Sequence, residues 1–309
     1  MPLTELESDA KGLEFLKGAG LVPPGFVAIF LAALLSIGVS APAETNSDLT
    51  AEQSRIFDGA RALALQYTER LPDFICTQVT HREITGQTSF GSPFNGASSS
   101  RGPRGPASAD HSPSDTSDVI EEKLTFFNQM EHYEVVTVNG KKAAGKEHMN
   151  FAGAISAGEF GSALHNIFDP RSHASFAWDR FASLGGRRVA VFKFHVSSES
   201  GTIVMDRDTD QKILAANSGR LFIDPATMQV LRITSELQLP IEFPIKIAMT
   251  TVDYKPVIIA GQTYTLPNRS EIRLKDNARL YVNRIEFQNY HKFAAESTIH
   301  YDSDGSPKH

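Results

Sequence analysis

The chain has 309 residues, 41% hydrophobic, 21% charged and 9% aromatic, which is enough apolar material for one sizeable core. A formal net charge of −6 with no long basic run argues against a nucleic-acid module, which would carry an excess of Lys and Arg. The single cysteine, Cys76, leaves no internal disulfide, so the fold must stand on its core alone.

FVAIFLAALLSIGV (26–39) is an uncharged run, too short for a membrane span, which needs about 20 apolar residues. APAE follows it, and Ala41 and Ala43 supply the small residues of an A-x-A cleavage site. Residues 1–43 therefore read as a signal peptide, cleaved or kept as an anchor, and 44–309 as one exported domain of the periplasm or cell envelope. Lys11 and Lys17 precede the run but are diluted by Glu5, Glu7, Asp9 and Glu14, and Val22 offers an alternative start. No cysteine follows the run, against a lipid-modified N-terminus.

DLTAEQSRIFDGARALALQYTERL (48–71) reads as one long amphipathic helix. Ile56, Ala60, Leu63, Ala64, Tyr67 and Leu71 recur at helical spacing, Thr50 with Gln53 forms a capping-box pattern, and Pro72 stops the helix. Phe74 to Ile84 is the first strand. In residues 86–117, Gly, Ser and Pro make up 18 of 32 positions, too little apolar surface to offset ordering entropy, so a disordered insert is expected. From Val119 to Asp302 the pattern is strands joined by turns at Asn139-Gly140, Gly185-Gly186 and Pro225-Ala226-Thr227, with the later strands expected at IEFPIKIAMTTVDY (241–254), VIIAGQTYTLP (257–267), SEIRLK (270–275) and RLYVNRIEFQNY (279–290). Residues 155–170 read as a short helix ended by Pro170. Phe192, Phe194 and Val196 alternate with Lys193 and His195, as Leu231 and Ile233 do with Arg232 and Thr234, so one sheet face is buried and the other wet. The expected fold class is α+β, a strongly curved antiparallel meander forming an open or half barrel under helical cover.

A helix running into RLPDFICTQVTHREITG, with Gln78 near mid-strand, resembles the opening of the bacterial lipoprotein-carrier family, the periplasmic lipoprotein chaperones and sorting proteins. GRLFIDPATMQVLRI (219–233) resembles its strand, Asp-Pro turn and strand, and VDYKPVIIAGQTYTLPNRSEIRL (252–274) its later hairpin. The resemblance implies an unclosed barrel whose apolar concave face shelters acyl chains. It departs at the insert, and Arg82 is only a loose match to the family's lid-controlling arginine.

HExxH, CxxC, P-loop, GxGxxG and GxSxG patterns are absent, and no cofactor or metal is expected. DRDTDQ (206–211) begins like a calcium loop, but Gln211 replaces the required Gly and Asn217 the Glu, so it reads as a polar turn. His148, His165 and His173 with Glu147, Glu159 and Asp169 match no ligand spacing. Cys76 reads as a core residue. Three readings follow. The first is a non-enzymatic carrier of a lipid or other apolar ligand, held by inward-facing Phe192, Phe194, Ile223, Ile233, Ile247 and Phe287. The second is an envelope scaffold with a filled core and a protein partner. The third is a hydrolase using residues 147–173.

Overall fold

A computed structural model describes residues 26–30, 49–86, 115–143, 153–157, 160, 162–206, 209 and 211–293. In chain order the elements are β1 (Phe26–Phe30), α1 (Ala51–Leu65), α2 (Tyr67–Arg70), β2 (Phe74–Gly86), β3 (Thr116–Phe127), β4 (Met130–Val138), β5 (Lys141–Lys142) and β6 (Gly153–Ala157). They continue with α3 (Ser162–Phe168), β7 (Ser175–Leu184), β8 (Arg187–Val196), β9 (Thr202–Asp206), β10 (Gln211–Ile223), β11 (Val230–Gln238), β12 (Ile247–Ile259), β13 (Gln262–Lys275) and β14 (Arg279–Lys292). The body of the predicted insert, 87–114, lies outside the described residues, as do Glu147, His148 and Glu159.

The strands form an open sheet in the order β5-β4-β3-β2-β14-β13-β12-β11-β10-β9-β1-β6, with β8 and β7 branching from β10. Every pairing is antiparallel except β1 with β6. Tight hairpins make this order the economical one. Asn128-Gln129, Asn139-Gly140, Gly185-Gly186 and Ala260-Gly261 all take positive φ at both central positions, the twist that suits a two-residue hairpin. β10 has two partners on one side: residues 211–215 pair with β9 and 217–223 with β8. The sheet therefore forks at Ala216.

Four expectations are corrected. In place of one long helix over 48–71, the chain forms the 15-residue α1, breaks at Gln66, and adds the four-residue α2. The predicted capping box is present: Thr50 N donates to Gln53 Oε1 (2.9 Å) and Gln53 N to Thr50 Oγ1 (3.3 Å). Residues 155–157 belong to β6, so the predicted helix over 155–170 contracts to Ser162–Phe168. The strand expected from Ile241 begins at Ile247, because 239–246 turn inward through Phe243 and Ile245. Finally, QTYTLP and SEIRLK form the single strand β13. Pro267 is tolerated there because it faces Tyr254 beside a register shift, where the ladder is already interrupted. Phe26–Phe30, within the segment read as a signal peptide, forms β1, consistent with its aromatic and β-branched composition.

One face of the sheet is lined by two apolar clusters. α1, α2 and α3 cover the half built by β7, β8, β10, β11 and β12. Over β2, β3, β13 and β14 lie Phe160, Val204 of β9 and the turn residues Phe243 and Ile245.

Candidate functional site

The candidate site is this covered face. Alternation along β2 points Phe74, Cys76, Gln78, Thr80 and Ile84 inward. Register then places Phe126, Leu124 and Glu122 of β3, and Phe287, Ile285 and Tyr281 of β14, on the same face. Of the six residues predicted to line a cavity, Phe192, Phe194, Ile223, Ile233 and Phe287 are inward and at most 3% exposed. Ile247 is 37% exposed and its neighbour Ala248 is buried, so Ile247 lies on the outer face. The structure separates the five into two groups: the first four lie under the helices, while Phe287 belongs to the other cluster.

Sequence alternation did not foresee what touches them. Phe57 of α1 sits 5.2 Å from Phe192, 4.9 Å from Phe176 and 5.9 Å from Phe168 between ring centroids. A helical side chain therefore fills the centre of this aromatic cluster. Phe57 was hidden beside Ile56 because two adjacent helical residues can both reach a broad core. In the other half Phe160 packs on Phe74 (5.3 Å) and Phe287 (5.0 Å), while Phe74 stacks on Phe126 (5.2 Å). Gly219 permits the close approach of Phe194: an added Cβ would lie 1.8 Å from Thr234 O and 2.7 Å from the Phe194 ring.

Several polar groups on this face are engaged, while the buried Ser270 Oγ and Asn217 Oδ1 have no hydrogen-bond partner among the described residues. Gln78 Nε2 donates to Glu122 Oε2 at 2.8 Å, with both residues 2% exposed. Arg82 pairs with Asp118, and Tyr67 OH donates to Thr265 O at 2.6 Å. A cavity of about 60 Å³ lies beside the end of α3, and a groove of about 240 Å³ beside β3 and β4; the six predicted residues line neither.

No family model and no curated protein matches the chain. Solved structures similar to it include a DUF1329 family protein from Desulfovibrio piger, at 9% identity and TM-score 0.33, covering 78% of this chain and 95% of that one. A domain provisionally assigned as an outer membrane lipoprotein-sorting protein, from Vibrio parahaemolyticus, has 9% identity and TM-score 0.31, covering 76% and 90%. The second description names the family that the sequence resembles. At these scores the function has to be read from the chain's own geometry.

The candidate chemistry is sparse. Cys76 is 1% exposed, and burial, followed by the Glu131 charge, pushes its thiol well above the usual range. That is the reverse of what a nucleophile requires. From the His-rich segment, His165 Nε2 meets Asp169 Oδ2 at 3.1 Å. Asp169 is held below the ordinary carboxylate range chiefly by the Arg171 side chain, whose Nε lies 3.0 Å from both carboxylate oxygens. His173 instead caps a 3-10 turn in the left-handed region (φ 48°). Among the described residues, no group of three His, Cys, Asp or Glu could hold a metal.

Proposed function

We propose that this chain is an exported, non-catalytic envelope protein that shelters an apolar ligand, such as an acyl chain, against the inner face of its open sheet. The supporting observation is the position of Phe57: an aromatic side chain on a separate helix fills the centre of an otherwise continuous aromatic and aliphatic surface. Polar ties between α1 and the sheet are exposed. Arg55 Nη2 donates to Pro225 O at 3.2 Å, and Arg188 meets Glu52 at 3.3 Å. Exposed ties of this kind hold weakly. The cover is thus attached mainly by apolar contact, and a ligand offering equal apolar contact can replace it. Loading consists of α1 and α3 withdrawing while the ligand takes their place.

A second reading, a scaffold whose core is permanently filled, is favoured by the small size of the cavity beside α3. At about 60 Å³ it is well short of the roughly 300 Å³ at which ligand sites begin. Native mass spectrometry of the protein purified from a bacterial envelope without detergent separates the two. An adduct that organic extraction resolves into lipid supports the carrier. A bare mass that stays bare after incubation with fatty acid or phospholipid vesicles supports the scaffold.

A further inference from the structure

The outer face of the sheet carries a charge imbalance at one end, independent of the apolar face. Across the middle strands each cation is matched: Arg232 meets Asp253, Arg269 meets Glu286, and Arg273 and Arg284 are served by Glu271 and Glu83. At the β7 end, three cations meet on one carboxylate, Asp179. A bulge places it there. Trp178 pairs with Phe192 and Arg180 with Val191, so Asp179 is an extra residue in β7. The bulge brings Asp179 and Arg180 to the same side, and Asp179 Oδ2 accepts from Arg180 Nη1 at 2.6 Å. The same oxygen accepts from Arg220 Nε at 3.2 Å, and Lys193 Nζ lies 3.7 Å from Oδ1. The Asp179 side chain is 14% exposed, whereas those of the three cations are 45% to 55% exposed. The carboxylate is therefore the fixed centre, and the cations stand around it with most of their N–H groups open.

Lys193 and Arg220 are direct partners across the β8–β10 ladder. Like charges so placed are destabilising, and Asp179 offsets only one charge of the three. The next row brings no relief. His195 Nδ1 and Gln238 Nε2 meet on Ser218 Oγ at 2.8 Å and 3.3 Å, and Glu236, opposite Ser218 on β11, forms no ion pair with the three cations. Because the whole chain has a net charge of −6, the local excess belongs to this place and not to the composition. Guanidinium forks take oxyanions through paired N–H···O bonds, and a lysine adds a point charge. A carboxylate would supply one negative charge, whereas a phosphate monoester carries about −1.5 to −2 near pH 7 and matches the remaining two positive charges. We propose that the bulge at Asp179 organises a binding site for a phosphate monoester group, free or on a lipid head, held by Arg180, Lys193 and Arg220.

The test is isothermal titration calorimetry of the full chain at low salt with inorganic phosphate and with acetate. Saturable phosphate binding, at least about tenfold tighter than acetate, is expected. Lys193→Gln and Arg220→Gln, both at exposed positions, should each weaken it about three- to fivefold, the range of one exposed charge pair. Arg269→Gln, which removes a matched cation elsewhere on the outer face, should leave phosphate binding unchanged. Vesicles of phosphatidylcholine with and without phosphatidic acid separate the two sources. Binding to phosphatidic acid at least about tenfold tighter than to inorganic phosphate assigns the site to a lipid head, and equal or weaker binding assigns it to free phosphate. Absence of binding to both probes, acetate binding as tightly as phosphate, or an equal loss in Arg269→Gln overturns the inference and leaves a solvated ion-pair network.

Discussion

At the scale of single residues, alternation was a reliable guide wherever the strand began where the sequence suggested. On β8, β10, β11 and β14 it placed Phe192, Phe194, Ile223, Ile233 and Phe287 inward, and all five are inward. It failed at Ile247 for a local reason. Ile241, Phe243, Ile245 and Ile247 share one parity, but the first three lie in the turn before β12, so the ladder's parity is set afresh after Lys246. Lys246 Nζ fixes that turn by donating to Ile241 O (2.6 Å) and Phe243 O (2.8 Å), contacts that no pattern in the sequence announces. Cys76 was legible, because its parity with Phe74 in an uninterrupted run decides its face. Its neighbours are Leu124 across the ladder and the apolar cluster around Phe74, so it contributes volume and not chemistry. Cys76→Ser should retain ligand binding and lose about 1–3 kcal/mol of stability in urea unfolding, the cost of an unpaired buried hydroxyl. Loss of binding with unchanged stability would give the thiol a role that its burial denies.

At the scale of elements, the start of α1 was legible and its end was not. The capping box is a local motif, and Thr50→Ala should cost about 1 kcal/mol by removing the acceptor for Gln53 N. The break at Gln66 is imposed by tertiary structure: Tyr67 must reach Thr265 O on β13, a contact 198 residues away in sequence. Phe57 tests how far the cover is detachable. Phe57→Ala removes a ring 1% exposed among Phe168, Phe176 and Phe192, and should cost about 3–5 kcal/mol. The vacated space lies where the proposed ligand enters. In a carrier, Phe57→Ala should therefore bind a fluorescent fatty acid more tightly than the parent and recover part of the lost stability when loaded. A destabilised variant that takes up no more fatty acid than the parent would place Phe57 in an ordinary filled core.

At the scale of the whole molecule, the open antiparallel sheet was legible because hairpin turns and period-two alternation are local signals. The covering of its inner face was not. Which helix settles on which strands depends on contacts between residues distant in the chain, and the fork at Ala216 depends on β8 and β9 competing for one edge of β10. Three phenols, Tyr67 and Tyr281 buried and Tyr290 half-buried, hold proton-donating hydrogen bonds within the fold. Tyr67 joins α2 to β13, Tyr290 OH donates to Pro267 O at 2.5 Å, and Tyr281 OH donates to Asp276 at 3.0 Å. Burial is the largest cause raising each of them: Tyr281 is pushed up to about 12, and Tyr67 and Tyr290 also lie above the ordinary phenol range. A phenol whose folded pKa exceeds its unfolded value keeps its proton in the native state after the unfolded chain has lost it. Its stabilisation is fully present below the unfolded pKa of about 10 and is lost as pH rises through the window above it. Thermal unfolding midpoints should thus hold steady up to about pH 9 and fall steeply beyond about pH 10, with phenolate absorbance appearing together with unfolding and not before it. Tyr281→Phe, which removes one of these protons, should make the alkaline fall shallower. Phenolate absorbance that develops at ordinary phenol pH, with the midpoint unmoved, would mean that these tyrosines are open to solvent and the cover is not closed by them.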